Sequence, residues 1–116
     1  MKILIVEDEI GIANFLRQGL EEEGYEITTA RDGLQALEKF QNEDFDLILL
    51  DWMLPKMNGI EMVNEIRSFN NSIKVIFLSA HNEIDYLNSI KELKASSIIK
   101  PINSIEMIKA FSKIIN

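Results

Sequence analysis

The chain has 116 residues, 47% of them hydrophobic and 27% charged, with a net charge of −7 and a pI near 4.7. This length and apolar content suit one domain with a real core and exclude wholesale disorder. The acidity argues against unaided binding to a nucleic-acid backbone or an anionic membrane, and the absence of cysteine excludes disulfides, thiolate catalysis and zinc–thiolate sites.

The first part of the chain predicts two strands, each followed by a helix. The short apolar run Lys2–Val6 predicts a strand, and apolar residues then recur at helical spacing from about Ile10 to Glu23, with Gly24 as the stop. Glu26–Ala30 predicts the second strand. The next helix, to about residue 42, opens at Asp32 with the sequence Asp-Gly-Leu-Gln, which resembles a capping box.

The middle of the chain repeats this alternation. Asp46–Leu50 is the most apolar of the predicted strands, and a loop from Asp51 to Asn58 follows it. Apolar residues at helical spacing predict a helix over Gly59–Phe69. A polar turn at residues 70–72 then leads into the predicted strand Ile73–Leu78.

The last part predicts a helix from about Glu83 to Leu93, a short strand at Ser97–Ile99, and a helix that starts near Asn103 and ends near Ile115. Strands that alternate with helices of this length indicate βαβ units with right-handed crossovers. The fold class is therefore α/β, with a doubly wound parallel sheet of five strands. No linker or repeat is visible, so we expect a single domain over residues 1–116.

Polar side chains follow four of the predicted strands, and they carry the chemistry of this sequence. They are Glu7, Asp8, Asp51, Ser79 and Lys100. Because ligands bind at the carboxyl ends of strands in open α/β sheets, we expect these five side chains to share one crevice. Three carboxylates repel one another unless a cation lies among them, and oxygen ligands alone favour a hard ion such as Mg²⁺. A hydroxyl and a lysine beside that ion suit a phosphoryl group.

This constellation resembles the receiver domain of bacterial two-component response regulators. The resemblance rests on Glu7-Asp8, Asp51, Ser79 and Lys100-Pro101, and on the loop Asp51-Trp-Met-Leu-Pro-Lys-Met-Asn-Gly59. It covers the chain from Lys2 to the last helix. It implies a flavodoxin-like (βα)5 fold with strand order 2-1-3-4-5.

The resemblance also implies a role for each site residue. Asp51 would be the nucleophile that becomes an aspartyl phosphate, Ser79 would bond a phosphoryl oxygen, and Lys100 would pair first with Asp51 and then with the phosphoryl group. A capping or turn role is the ordinary alternative for each acid considered alone. The implied Mg²⁺ ligands are Asp8 directly, Glu7 through water, Asp51, and the backbone carbonyl of Met53.

The predicted function is that of a phosphorylation-controlled switch rather than an enzyme. The expected donor is a sensor histidine kinase or a phosphotransfer protein, and the expected receiver of the signal is a downstream protein or an output domain that this chain lacks. We expect neither direct nucleic-acid binding nor membrane binding. No apolar run approaches a membrane span, and no signal-peptide pattern precedes the first strand, so we expect a cytoplasmic location.

Three other functions are weighed against this one. A haloacid-dehalogenase-like phosphohydrolase or mutase would need a second acid two residues after its nucleophile, where this chain has Met53. A flavodoxin-like flavin binder would need a phosphate cradle where this chain has Glu7-Asp8-Glu9. A receiver-like module that works without phosphate stays open, because Ser97 occupies the position of the usual switching aromatic residue and the usual Gly-Ala before the fifth strand is lost or shifted.

Overall fold

The computed structural model describes residues 1–51, 59–70, 72–79, 91–92, 94–99 and 104–115. The strands are β1 (Lys2–Val6), β2 (Glu26–Ala30), β3 (Leu47–Asp51), β4 (Lys74–Ser79) and β5 (Ser96–Ile99). The helices with described bounds are α1 (Ile10–Glu22), α2 (Gly33–Asn42), α3 (Gly59–Phe69) and a last helix, Ser104–Ile115. These predicted elements are confirmed. Of the predicted helix over residues 83–93, only residues 91 and 92 are described, and both are helical.

The strand boundaries differ from the predictions by one residue at several ends. β3 includes Asp51 and β4 includes Ser79, although both positions were predicted to follow a strand. The ladder explains the difference, since Asp51 pairs with Leu78 and Ser79 pairs with Ile99. Side-chain polarity marks where burial ends, whereas backbone pairing continues for one more residue.

The sheet is parallel throughout and has the order β2-β1-β3-β4-β5, which confirms the expected flavodoxin-like topology. The central strands are buried on both faces, and Leu47–Leu50 is fully buried. One face packs against α2 and α3 through Ala36, Phe40, Met62, Val63 and Ile66. The opposite face packs against α1 and the last helix through Leu16, Leu20 and Phe111. Because helices cover both faces of the sheet, the strand ends are the places where polar side chains can meet a ligand.

The end of α1 follows the prediction made from Gly24. Gly24 has a φ of +93°, which a glycine adopts without steric cost. Its N–H donates to Glu21 O at 2.9 Å, and the N–H of Tyr25 donates to Leu20 O at 3.2 Å. These two bonds form a Schellman motif, so α1 stops and the chain turns into β2.

The start of α2 also follows the prediction, with one difference. The Asp32 carboxylate accepts a hydrogen bond from the Gln35 N–H at 2.8 Å, as an N-cap side chain does. The Gln35 side chain returns a bond to the N–H of Arg31 at 2.7 Å, one residue before the position that a capping box uses. The helix therefore begins at Gly33 with an orphan N–H satisfied by Asp32.

The segment before β5 has a strained residue where the sequence showed a departure from the receiver pattern. Lys94 has a φ of +57°, a conformation that glycine adopts without cost. The Arg67 guanidinium in the last turn of α3 donates to Ile73 O and, at 3.5 Å, to Lys94 O. Partial burial lowers the pKa of Arg67 through desolvation. Arg67 thus connects the residues that precede β4 and β5.

The last helix is attached to the rest of the fold at its side and at its end. The Tyr25 and Phe111 rings meet edge to face with centroids 5.5 Å apart. The Lys74 ammonium donates to Ile115 O at 3.0 Å, where a cation also favours the negative end of the helix dipole. In the described parts of the chain, no helix combines the length and the apolar character that crossing a bilayer requires.

Two glycines of α1 and its cap give a matched test of this backbone. We expect Gly24→Ala to lower the free energy of unfolding by about 1 kcal/mol, because alanine is strained at positive φ. We expect Gly11→Ala to raise it by about 0.5 kcal/mol, because alanine favours a helix. The added methyl at Gly11 meets no atom within 4 Å. Urea unfolding followed by circular dichroism measures both changes. A loss of stability in both variants would contradict the assignment of positive φ to Gly24 and of helical backbone to Gly11.

Candidate functional site

The pairing of β1 with β3 brings the predicted acids together. Val6 lies beside Leu50 in the parallel ladder, so the next residues, Glu7 and Asp51, are neighbours at the carboxyl ends of the two strands. The N–H of Glu7 also donates to Ala30 O at 3.0 Å, which continues the β1–β2 pairing by one residue. Backbone hydrogen bonding between β1 and β2 therefore continues up to Glu7, the first acidic residue of the site.

Three carboxylates converge at this edge of the sheet. Glu7, Asp8 and Asp51 each offer one carboxylate oxygen, and the three oxygens lie within 4.8 Å of one another. The repulsion between two unit charges at such a distance is about 3 kcal/mol at an effective dielectric constant of about 20. A cation among the oxygens would convert that repulsion into attraction, so the cluster could hold a metal ion.

The three acids differ in their exposure to water. Glu7 is 1% exposed, and among the described residues it is the only buried charged side chain. Its carboxylate accepts a hydrogen bond from the N–H of Glu9 at 3.3 Å. Asp51 is half-buried and Asp8 is exposed. The cluster therefore opens toward solvent on the Asp8 side, where water or an incoming ligand has access.

The donor set fits a hard divalent ion. All three side chains supply oxygen, which Mg²⁺ and Ca²⁺ prefer over nitrogen or sulfur. A small number of protein ligands suits Mg²⁺, because this ion keeps several of its waters. The neighbouring Glu9 carboxylate does not belong to the cluster, although the sequence places three acids in a row.

The structure brings together three of the predicted site residues, Glu7, Asp8 and Asp51. The side chains of the other predicted site residues lie outside its described part. Ser79 ends β4 next to Ile99, but its side chain lies outside the described part of the chain. Met53 and Lys100 also lie outside the described residues. The contribution of the Glu9 N–H was not predicted, because a backbone donor leaves no signal in the sequence.

Comparison with known proteins gives the same interpretation of the fold. The family model described as the response regulator receiver domain matches residues 3–112. The chain is 39% identical to sporulation initiation phosphotransferase F of Bacillus subtilis over 97% of this chain and 91% of that protein. It is 40% identical to the transcriptional regulatory protein CpxR homolog of Haemophilus influenzae over 98% of this chain and 50% of that protein. The chain thus spans about half the length of that regulator.

Solved structures agree with these relatives. The chemotaxis response regulator CheY4 of Vibrio cholerae superposes with a TM-score of 0.91 at 31% identity, over 97% of both chains. The response regulator protein TrrA of Thermotoga maritima, solved in complex with Mg²⁺ and BeF, superposes with a TM-score of 0.84 at 35% identity, again over 97% of both chains. With the family model matched over residues 3–112 and a relative 39% identical over nearly the whole chain, the chain belongs to the response regulator receiver domain family.

Proposed function

We propose that this receiver domain works as a phosphorylation-controlled switch whose phosphoacceptor is Asp51. The observation that carries the proposal is the convergence of Asp51 with Glu7 and Asp8 at the carboxyl ends of β1 and β3. Asp51 is half-buried at the end of β3, so the residue is within reach of a donor while the strand holds its backbone in place. Phosphoryl transfer depends on such positioning and on charge stabilisation.

The proposed transfer is a single displacement at phosphorus. A carboxylate oxygen of Asp51 forms the new O–P bond as the P–N bond to the donor histidine breaks, and the leaving imidazole nitrogen takes a proton. The product is an aspartyl phosphate and a free histidine. The Ser79 hydroxyl would then donate a hydrogen bond to a phosphoryl oxygen, and the Lys100 ammonium would balance the added charge.

The proposed metal is Mg²⁺, held by Asp8 and Asp51 directly, by Glu7 through water, and by the backbone carbonyl of Met53. A bound divalent ion supplies positive charge that offsets the repulsion between the carboxylates and the incoming phosphoryl oxygens. The convergence of three carboxylate oxygens within 4.8 Å of one another supports this assignment, since a cation among them would offset their mutual repulsion.

The proposed partners follow from the switch. A sensor histidine kinase or a phosphotransfer protein would donate the phosphoryl group, and a downstream protein or an attached output domain would receive the signal. The domain would assist its own phosphorylation and dephosphorylation and would turn over no external substrate. We propose the cytoplasm as its location, because the proposed donor kinase would draw its phosphoryl groups from ATP.

Phosphorylation of Asp51 can be tested with a small phosphodonor. With Mg²⁺ and acetyl phosphate, the protein should gain the mass of one phosphoryl group, in an adduct that is stable to acid and labile to base and hydroxylamine. Asp51→Asn should gain none. Glu9→Gln removes a nearby charge outside the carboxylate cluster and should be phosphorylated like the wild type. The same adduct on Asp51→Asn in intact-mass spectra would refute the assignment.

The metal assignment predicts a loss of affinity when Asp8 is removed. Trp52 is the only tryptophan and lies next to Asp51 in the sequence, so its emission should report Mg²⁺ binding. Asp8→Ala should weaken Mg²⁺ binding by about tenfold or more, because a ligand and a charge are lost together. Glu9→Gln should bind as the wild type does. Equal affinities in the two variants would remove Asp8 from the metal site.

The third test concerns the route by which the signal leaves the phosphorylation site. Ser97 lies beside Phe77 in the β4–β5 ladder and is too small to fill the space that the usual aromatic ring takes up. A switch needs an element whose two states the phosphoryl group distinguishes. Beryllofluoride should therefore shift the amide resonances of residues 79–85 strongly and those of residues 96–99 weakly. Equal shifts in both segments would mean that another side chain couples the site to β5.

A further inference from the structure

The two ladders of β4 begin at different residues. Pairing with β3 starts at Lys74, whereas pairing with β5 starts at Ile76, opposite Ser96. The N–H of Lys74 donates to Asp46 O at 3.4 Å, on the β3 side. Because the N–H and C=O of a trans peptide point in opposite directions, the Ile73 carbonyl of the same peptide faces the β5 side. It does so before the β4–β5 ladder begins.

The Arg67 side chain supplies a donor to this carbonyl. One end of its guanidinium donates to Ile73 O, and the other lies 3.5 Å from Lys94 O, in the turn that precedes β5. The rigid fork of N–H groups lets one side chain bind carbonyls from two separate segments. Partial burial lowers the pKa of Arg67, so the carbonyls stand where water would otherwise solvate the charge. Arg67 therefore joins the amino ends of β4 and β5.

The turn that Arg67 reaches is held in a strained form. Lys94 has a φ of +57°, which is unfavourable for a residue with a side chain. Its N–H donates to Lys91 O at 3.1 Å, and Ala95 packs against the buried cluster between the sheet and helices α2 and α3. Strained backbone persists only where its surroundings hold it. Here the helical turn, the apolar core and the Arg67 guanidinium all contribute.

This arrangement lies at the opposite end of the sheet from the carboxylates. Leu78 pairs with Asp51, so a rise of five residues, about 16 Å, separates the Ile73 carbonyl from the level of the proposed phosphoacceptor. β5 connects the two ends, because its last residue, Ile99, pairs with Ser79. A change at the phosphorylation site therefore acts on the carboxyl end of β5, whereas Arg67 acts on its amino end.

We propose that Arg67 is a clasp that keeps the turn at Lys94 and the amino end of β5 fixed when the phosphorylation site changes state. The proposal rests on the proposed function for its trigger, whereas the clasp itself is present before phosphorylation. Without the guanidinium, Lys94 relaxes toward negative φ and β5 responds along its whole length. With it, the response stays near the carboxyl ends of the strands.

Amide hydrogen exchange tests the clasp without a phosphodonor. Arg67→Met keeps a long side chain but removes the guanidinium. The amides of Lys94 and β5 should exchange about three- to tenfold faster, as expected for the loss of one or two hydrogen bonds. The amides of β1 should accelerate only by the loss of global stability, which urea unfolding measures. Arg17→Met removes an exposed guanidinium from α1 and should leave exchange in β5 unchanged.

Beryllofluoride tests whether the clasp confines the response. In Arg67→Met, the beryllofluoride-induced shifts of amides 94–99 should grow about twofold or more over the wild type, because an element without its clasp populates both of its states. Those of residues 7–9 should match the wild type, and Arg17→Met should match it throughout. Absent shifts at residues 7–9 in the wild type would refute the proposed function, and the exchange experiment would still decide whether the clasp exists.

A double-mutant cycle tests the link between Arg67 and the strained turn with milder substitutions. Lys94→Gly should raise the folding equilibrium constant about three- to fivefold, because glycine adopts positive φ without steric cost. In an Arg67→Lys background the same substitution should gain less. A single ammonium lacks the fork that holds both carbonyls, so Lys94 is already free to relax there.

Three results would overturn the proposal. They are equal acceleration of exchange in β1 and β5, equal beryllofluoride shifts of amides 94–99 in the wild type and Arg67→Met, and an equal gain from Lys94→Gly in the wild type and Arg67→Lys. The first would show that Arg67 stabilises the whole fold rather than this turn. The second would show that other contacts confine the response, and the third that the turn keeps its positive φ without the guanidinium.

Discussion

The parallel ladder between β1 and β3 is the constraint on which the site depends. The pairing of Val6 with Leu50 fixes which residues meet when the two strands end. A shift of one residue would turn every buried side chain of these strands toward the opposite layer, so burial on both faces holds the register. Because the register is fixed, Glu7 and Asp51 lie side by side without any direct bond between them being required.

Hydrogen bonds at the amino ends of the strands, opposite the acids, also stabilise this register. Asp46 accepts a hydrogen bond from the Lys2 N–H at 2.7 Å and donates its own N–H to Lys2 O at 2.8 Å. Its carbonyl accepts from the N–H of Lys74 at 3.4 Å. One aspartate thus connects the starts of β1, β3 and β4. The acids at the opposite ends lie on a scaffold anchored about five residues away.

The region before β5 is built differently from the rest of the scaffold. A lysine at position 94 adopts positive φ, and Arg67 reaches its carbonyl from α3. Strain of this kind persists where the surroundings hold the backbone in place. The contact with Arg67 therefore links the end of α3 to the segment before β5. It lies at the amino ends of the strands, opposite the carboxylates.

The sequence by itself determined the order and type of the described elements and which three acids would meet. Apolar runs and helical periodicity located the five strands, and Gly24 and Asp32 marked helix ends through local backbone chemistry. These signals work because they depend on a few neighbouring residues. The acids Glu7, Asp8 and Asp51 could be grouped in advance because parallel strands end at one edge of a sheet.

The tertiary structure decided what depends on residues distant in the chain. It separated Glu7, the buried member of the carboxylate cluster, from Asp8, which faces water, although the two are adjacent acids. It moved both ends of β3 and of β4 one residue toward the carboxyl terminus, because pairing partners and not side-chain polarity set the strand ends. It also placed Lys2 over Phe45 and against Glu43, more than forty residues away. Burial and long-range pairing arise only when the strands assemble, so no local pattern could specify them.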